Sequence, residues 1–217
     1  MWTLFLAGGP VMWPLLLCSL LALTVIIERA CFWLRLDMAG DEANIERLLD
    51  AYYRGDDWRK LAERERSPGH GIVRRMLLSG MAHDGFSSVK AMEAVAQQAV
   101  RAMRRGMGVL DTIITVAPML GILGTVLGII SSFDMLGQAG INEPQAVVAG
   151  IAEALITTAA GLIISIATVF PFNYFNSRIE NARDVLEHYG TRLEMAQGKM
   201  RPAQEGETTR PAQEGER

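Results

Sequence analysis

The sequence predicts an all-α membrane protein with three transmembrane helices, the second and third extended as long helices into the cytoplasm. Charge segregation is the first observation behind this. Met1 to Ile27 and Thr112 to Phe133 carry no charged residue, and Ala146 to Ser177 carries only Glu153. Each stretch is long enough for the roughly 20 apolar residues that cross a hydrocarbon core. The second observation is where the 21 Lys and Arg fall: none before Glu28, fourteen between Glu28 and Asp111, none between Asp134 and Gly150, and seven after Ser177. By the positive-inside rule, the N-terminus and the short connection near Asp134–Pro144 lie outside, and the long loop and C-terminus lie in the cytoplasm. The third is periodicity beyond the spans, taken up below. A soluble globule is excluded, because it would spread its charges along every amphipathic helix.

The first span falls within residues 1–35, as a retained helix over roughly Pro10 to Leu34. A cleaved signal peptide would start with positive charge, have a shorter apolar run and end at a small-residue site. Trp13 near one end, and Phe32 and Trp33 near the other, suit the two interfaces. Residues 36–110 form a cytoplasmic helical loop. Its part over 41–66, rich in Arg, Asp and Glu, reads as one or two short helices, and Ser67-Pro68-Gly69-His70-Gly71 is a break. Ser88 is positioned to cap a helix whose apolar residues Met92, Ala96, Ala99, Met103, Met107 and Leu110 follow helical steps. With no proline before Pro118, that helix is expected to run straight into the second span at 111–134. A short external loop covers 135–143 and the third span 144–177. Beyond it, Phe175, Ile179, Ala182, Leu186, Tyr189, Leu193 and Ala196 alternate steps of four and three. This predicts a helical extension over 178–199 with a heptad-like seam that packs on partners. The tail, 200–217, repeats RPAQEGE with no apolar face to bury, so disorder is expected there.

Several residues inside the spans need a reason. Glu153 costs roughly 2.5–3.5 kcal/mol at mid-membrane on insertion scales, so it should face protein or water, unless it sits near enough to the outer interface to hydrate. Pro118 leaves the Ile114 carbonyl without its helical donor and permits a kink. Gly121, Gly124 and Gly128 let a second backbone approach. Packing alone would account for these glycines, and a bond to a carbonyl of its own helix would account for Thr125. In the third span Thr158, Gly161, Ser165 and Thr168 follow steps of three, four and three and form one small polar face, with Thr157 about 100° away. Counted from the outer ends, Thr125 and Thr158 both fall near the midplane. Two hydroxyls at one depth would line a polar path.

Ala117-Pro118-Met119-Leu120-Gly121-Ile122-Leu123-Gly124-Thr125-Val126-Leu127-Gly128 and Gly150-Ile151-Ala152-Glu153-Ala154-Leu155-Ile156-Thr157-Thr158-Ala159-Ala160-Gly161-Leu162 together resemble the MotA/TolQ/ExbB proton-channel family. The start, Ala7-Gly8-Gly9-Pro10-Val11-Met12-Trp13-Pro14, makes the likeness closest to the ExbB type. The resemblance implies a proton-channel subunit of a bacterial inner-membrane energising complex, with the N-terminus periplasmic. It implies a homo-oligomer, described as a pentamer, around an ExbD-type single-span partner that supplies an aspartate. Motion driven by proton passage would reach a TonB-type protein and through it outer-membrane transport. By motif, Thr125, Thr158 and Glu153 line the pathway, with Ser165 and Thr168 on the same face. Asn173 matches a polar position toward the cytoplasmic end of the third span. A TolQ-type subunit of a Tol-Pal energiser is the rival within the family, and a non-conducting membrane scaffold is the rival outside it.

Other classes lack support. The net charge of −3 offers no field for nucleic acid. Cys18 and Cys31 are too far apart on one helix to pair. His70, His83 and His188 are scattered and no CxxC occurs, so no metal or other cofactor is expected. No Ser/His/Asp arrangement or phosphate loop followed by Lys points to an enzyme.

Overall fold

The computed structural model describes residues 5, 8–36, 42–55, 57–60, 71–83, 85–139 and 144–207. Its described elements are helical: α1 (Met12–Arg35), α2 (Glu42–Arg54), α3 (Ile72–Met81), α4 (Phe86–Arg104), α5 (Met107–Ala139) and α6 (Pro144–Glu207). Three of the described helical stretches are long and apolar enough to cross a membrane, one in α1, one in α5 and one in α6. The chain divides into two units, Met1–Leu34 with Arg104–Ser177, and Arg35–Met103 with Arg178–Arg217.

In the first unit α1 buries a narrow stripe. Leu15, Ala22, Arg29 and Trp33 are buried, while Trp13, Leu17, Leu20, Leu23, Ile27 and Leu34 are exposed. The exposed apolar side fits lipid, which carries no penalty for leucine. Pro14 stands in the first turn, where its missing N–H is one of the helix's unpaired donors in any case. Arg29, 2% exposed, was not anticipated. It is bound by the neighbouring Glu28 carboxylate (Nε to Oε2 2.6 Å) and lies 4.6 Å from the Phe32 ring centroid, so the charge enters the unit already paired.

The second span does continue a long helical stretch, Phe86–Asp134 over 49 residues, but the stretch is not unbroken as expected. Gly106 adopts φ +78°, a setting that other residues adopt at a cost, and it separates α4 from α5. Ser88 is no cap either: α4 begins at Phe86, and the Ser88 side chain is buried with its hydroxyl unpaired.

In the second unit the seam predicted beyond the third span is buried: Ile179, Ala182, Leu186, Tyr189, Leu193 and Ala196 are all at or below 9% exposed. Its packing surface lies within the chain rather than on partners. A Cβ on Gly80 of α3 would meet Leu193 Cδ2 at 2.8 Å, and one on Gly190 of α6 would meet Met76 Cε at 3.9 Å. The residues of α3 were not foreseen as a helix, yet Ile72, Val73, Met76, Leu77, Gly80 and Met81 repeat at helical steps and are buried. Gln197 Nε2 donates to Tyr52 Oη (3.1 Å), Gly80 O and His83 O (both 3.4 Å), joining α6 to α2 and α3. The break expected at 67–70 lies outside the described residues. So does 208–217 of the tail, whereas α6 runs helically to Glu207, past the point where disorder was expected.

One ion pair gives this unit a measurable pH response. Arg192 binds Glu46 through both nitrogens, Nη2 to Oε2 at 2.8 Å. The hydrogen bond from Arg192 holds the Glu46 carboxyl below the usual glutamate range. A lowered carboxylate pKa stabilises the fold above the unfolded value of about 4.3, and this stabilisation is lost as pH falls through the folded one. Both side chains are partly exposed, so the contribution is at most about 1 kcal/mol. Glu46→Gln should therefore lower the melting temperature by no more than about 4 °C at neutral pH. The difference from the parent should vanish in acid, by calorimetry. A gap that widened in acid would contradict the direction of the shift.

Candidate functional site

The site is built where α5 and α6 cross antiparallel in the first unit. Each turns a row of small residues to the other. On α5 the row is Ala117, Gly121, Gly124 and Gly128, and on α6 it is Gly150, Ala154, Thr157 and Gly161. All eight are buried. A Cβ on Gly161 would fall on the Ala117 carbonyl oxygen and 3.2 Å from Gly121 Cα. One on Gly121 would lie 3.0 Å from Thr158 Cα, and one on Gly128 3.0 Å from the Gly150 oxygen. The two backbones therefore touch, as small residues in membrane helices allow.

The hydroxyls of this pair are spent on backbone carbonyls. Ser165 Oγ donates to Ile114 O at 2.7 Å, the carbonyl that Pro118 deprives of its own donor. Thr158 Oγ1 donates to Gly121 O at 3.0 Å. Thr157 Oγ1 donates to Ala154 O at 2.8 Å and lies 3.5 Å from Gly121 O. Thr168 donates to Ile164 O at 2.7 Å and Thr125 to Ile122 O at 2.6 Å, each within its own helix. Thr157, set apart from the polar face by sequence, is 1% exposed, and Ser165 and Thr168 are also buried. The packed face is thus wider than the one drawn from steps of three and four, and it includes both threonines. Asn173 is exposed on α6.

Glu153 stands apart from this network. Its carboxyl lies against the turn before α1, beside Gly9. A cavity of about 150 Å³ borders it, lined among others by Gly8, Pro10, Gly128 and Ser131. That is enough space to admit water. Among the described residues, Glu153 is the one titratable side chain lining the cavity. Gly8, Gly9 and Ser131 were not singled out by sequence as neighbours of Glu153. Among the described residues, no group of three or more His, Cys, Asp or Glu could hold a metal ion.

The sequence profile of the MotA/TolQ/ExbB proton channel family matches residues 69–188, which include this helix pair. An ExbB-like biopolymer transport protein of Synechocystis sp. is 40% identical over 197 residues, 88% of this chain and 76% of that protein. The chain belongs to the MotA/TolQ/ExbB proton channel family. Its relatives in the family include biopolymer transport protein ExbB of Salmonella typhimurium, 35% identical over 115 residues, 53% of this chain and 46% of that one. The Tol-Pal system protein TolQ of Haemophilus influenzae is 31% identical over 177 residues, 74% of this chain and 75% of that one. With three apolar helices of spanning length, this family member is a multipass membrane protein of a transport family, most like ExbB.

Proposed function

We propose that the chain is the ExbB-type, proton-channel subunit of an inner-membrane complex that couples proton-motive force to TonB-dependent outer-membrane transport. The observation that carries the reading is the pairing of a tightly packed α5–α6 wall with one carboxyl, Glu153, beside a cavity large enough to admit water. A scaffold needs the packing but has no use for an ionisable group at that place. Thr125, Thr158, Ser165 and Thr168 serve as the polar wall of the pathway, and Glu153 is its proton-exchanging group. Pro118, Gly121, Gly124, Gly128 and Gly161 are the packing residues that keep the wall closed, with Asn173 toward the cytoplasmic end. The N-terminus is periplasmic and the C-terminus cytoplasmic, in line with the cation counts along the chain. The assembly is a homo-oligomer, a pentamer, enclosing an ExbD-type single-span partner whose aspartate completes the path, and a TonB-type protein receives the motion.

Deletion of the gene separates this from the TolQ-type reading. Loss of energy-dependent outer-membrane uptake with an intact envelope is the expected outcome. Detergent sensitivity with normal uptake would place the chain in a Tol-Pal system instead.

A further inference from the structure

The turn leading into α1 contains a backbone setting suited to glycine: Gly9 lies at φ +64°, in the left-handed region where a Cβ crowds the following carbonyl oxygen. Conformation alone would make Gly9 an ordinary turn residue. Its surroundings make it more. The position a Cβ would take on Gly9 falls on Glu153 Oε1, with Glu153 Cδ at 2.9 Å and Cγ at 3.6 Å. The space left by the missing side chain is where the carboxyl rests. Two other left-handed glycines differ. Gly55, at φ +75°, has nothing within 4 Å, and Gly106 meets Val25 Cγ1 at 3.0 Å.

We propose that Gly9 is the positioning residue for Glu153, and that its absent side chain keeps the carboxyl seated against the turn with the cavity beside it. This rests on reading Glu153 as the proton-exchanging group of the chain. The carboxyl ends a flexible side chain, so a methyl added at Gly9 displaces the carboxyl and leaves the helices in place. The carboxyl then loses its place against the turn and beside the cavity, so the water and backbone dipoles around it change.

The test uses cells that express the full chain in place of the chromosomal copy. Energised uptake is read against external pH, and the amount of chain in the membrane is measured alongside. Gly9→Ala should shift the midpoint of the pH profile by about half a unit or more. Gly55→Ala brings the same backbone strain to an empty neighbourhood and should leave the profile unchanged. Glu153→Asp, shorter by one methylene, should move the Gly9→Ala profile back toward the parent. An unshifted profile in Gly9→Ala overturns the proposal, as does a shift that Glu153→Asp does not reverse. If Gly9→Ala instead lowers the membrane level, Gly9→Ala with Glu153→Ala empties the space and should restore it, and failure to restore it also overturns the proposal. Full uptake in Glu153→Gln would refute the proton-exchange reading by itself. The contact would then be judged by the infrared carboxyl band of Glu153: a shift in Gly9→Ala supports it, and an unmoved band overturns it.

Discussion

Gly161→Val should prevent the α5–α6 pair from forming. The first added carbon falls on the Ala117 carbonyl oxygen and lies 3.2 Å from Gly121 Cα. Both are backbone, so no rotamer change can relieve the clash and the helices must separate. Over-packing a well-filled contact costs typically about 1–3 kcal/mol where side chains can adjust, and here they cannot. Separation would also break the bonds from Thr158 to Gly121 O and from Ser165 to Ile114 O. We expect little folded chain in the membrane, read by protease resistance and by melting in detergent. Gly108→Ala is the matched control. It lies in the first turn of the other helix of the pair, α5, with nothing within 4 Å of an added Cβ, so the methyl meets no neighbour and the variant should be no less stable than the parent. Equal stability of the two variants would show that the close approach is not needed.

The chain reconstituted alone in liposomes should dissipate a pH gradient at least about tenfold more slowly than the chain with a single-span partner carrying a membrane-embedded aspartate. A relay needs groups that take and release protons, and Ser and Thr hydroxyls do not do so near neutral pH. The hydroxyls of Thr125, Thr158, Ser165 and Thr168 are moreover each committed to a backbone carbonyl. Glu153 is the one carboxylate in its span, and from it to Thr168 the helix rises about 22 Å at 1.5 Å per residue. A second acid must come from elsewhere. Asp→Asn in the partner and Glu153→Gln in this chain should each abolish the faster flux. Rapid conduction by the chain alone, stopped by Glu153→Gln, would mean a self-contained channel.

The spans were legible because charge is excluded from hydrocarbon and because the sequence holds long uncharged runs. The buried seam from Ile179 to Ala196 was legible for a related reason, since its apolar residues recur at helical steps. What covers that seam was not legible, because a period marks a buried face without naming its occupant. The break at Gly106 was hidden too: a single glycine in a helical pattern is tolerated, and only its positive φ marks the end of α4. Thr157 and Thr158 show the limit of face drawing. Adjacent residues lie about 100° apart, but a backbone-to-backbone contact is broad enough to engage both. The seat of Glu153 joins two segments from opposite ends of the membrane-spanning part, and no local pattern links Gly9 to it.

The bond from Ser165 to the Ile114 carbonyl sets an order of inheritance. A carbonyl oxygen has two lone pairs, so a serine at 165 can be gained while residue 118 still has an N–H, with little to lose. A proline gained first would leave a part-buried acceptor bare, at a cost of up to about 1–3 kcal/mol. The less costly order is serine, then proline. In reverse, the proline must go before the serine can drift. Two positions on different helices are therefore energetically coupled, with the serine acting as the permissive residue for the proline.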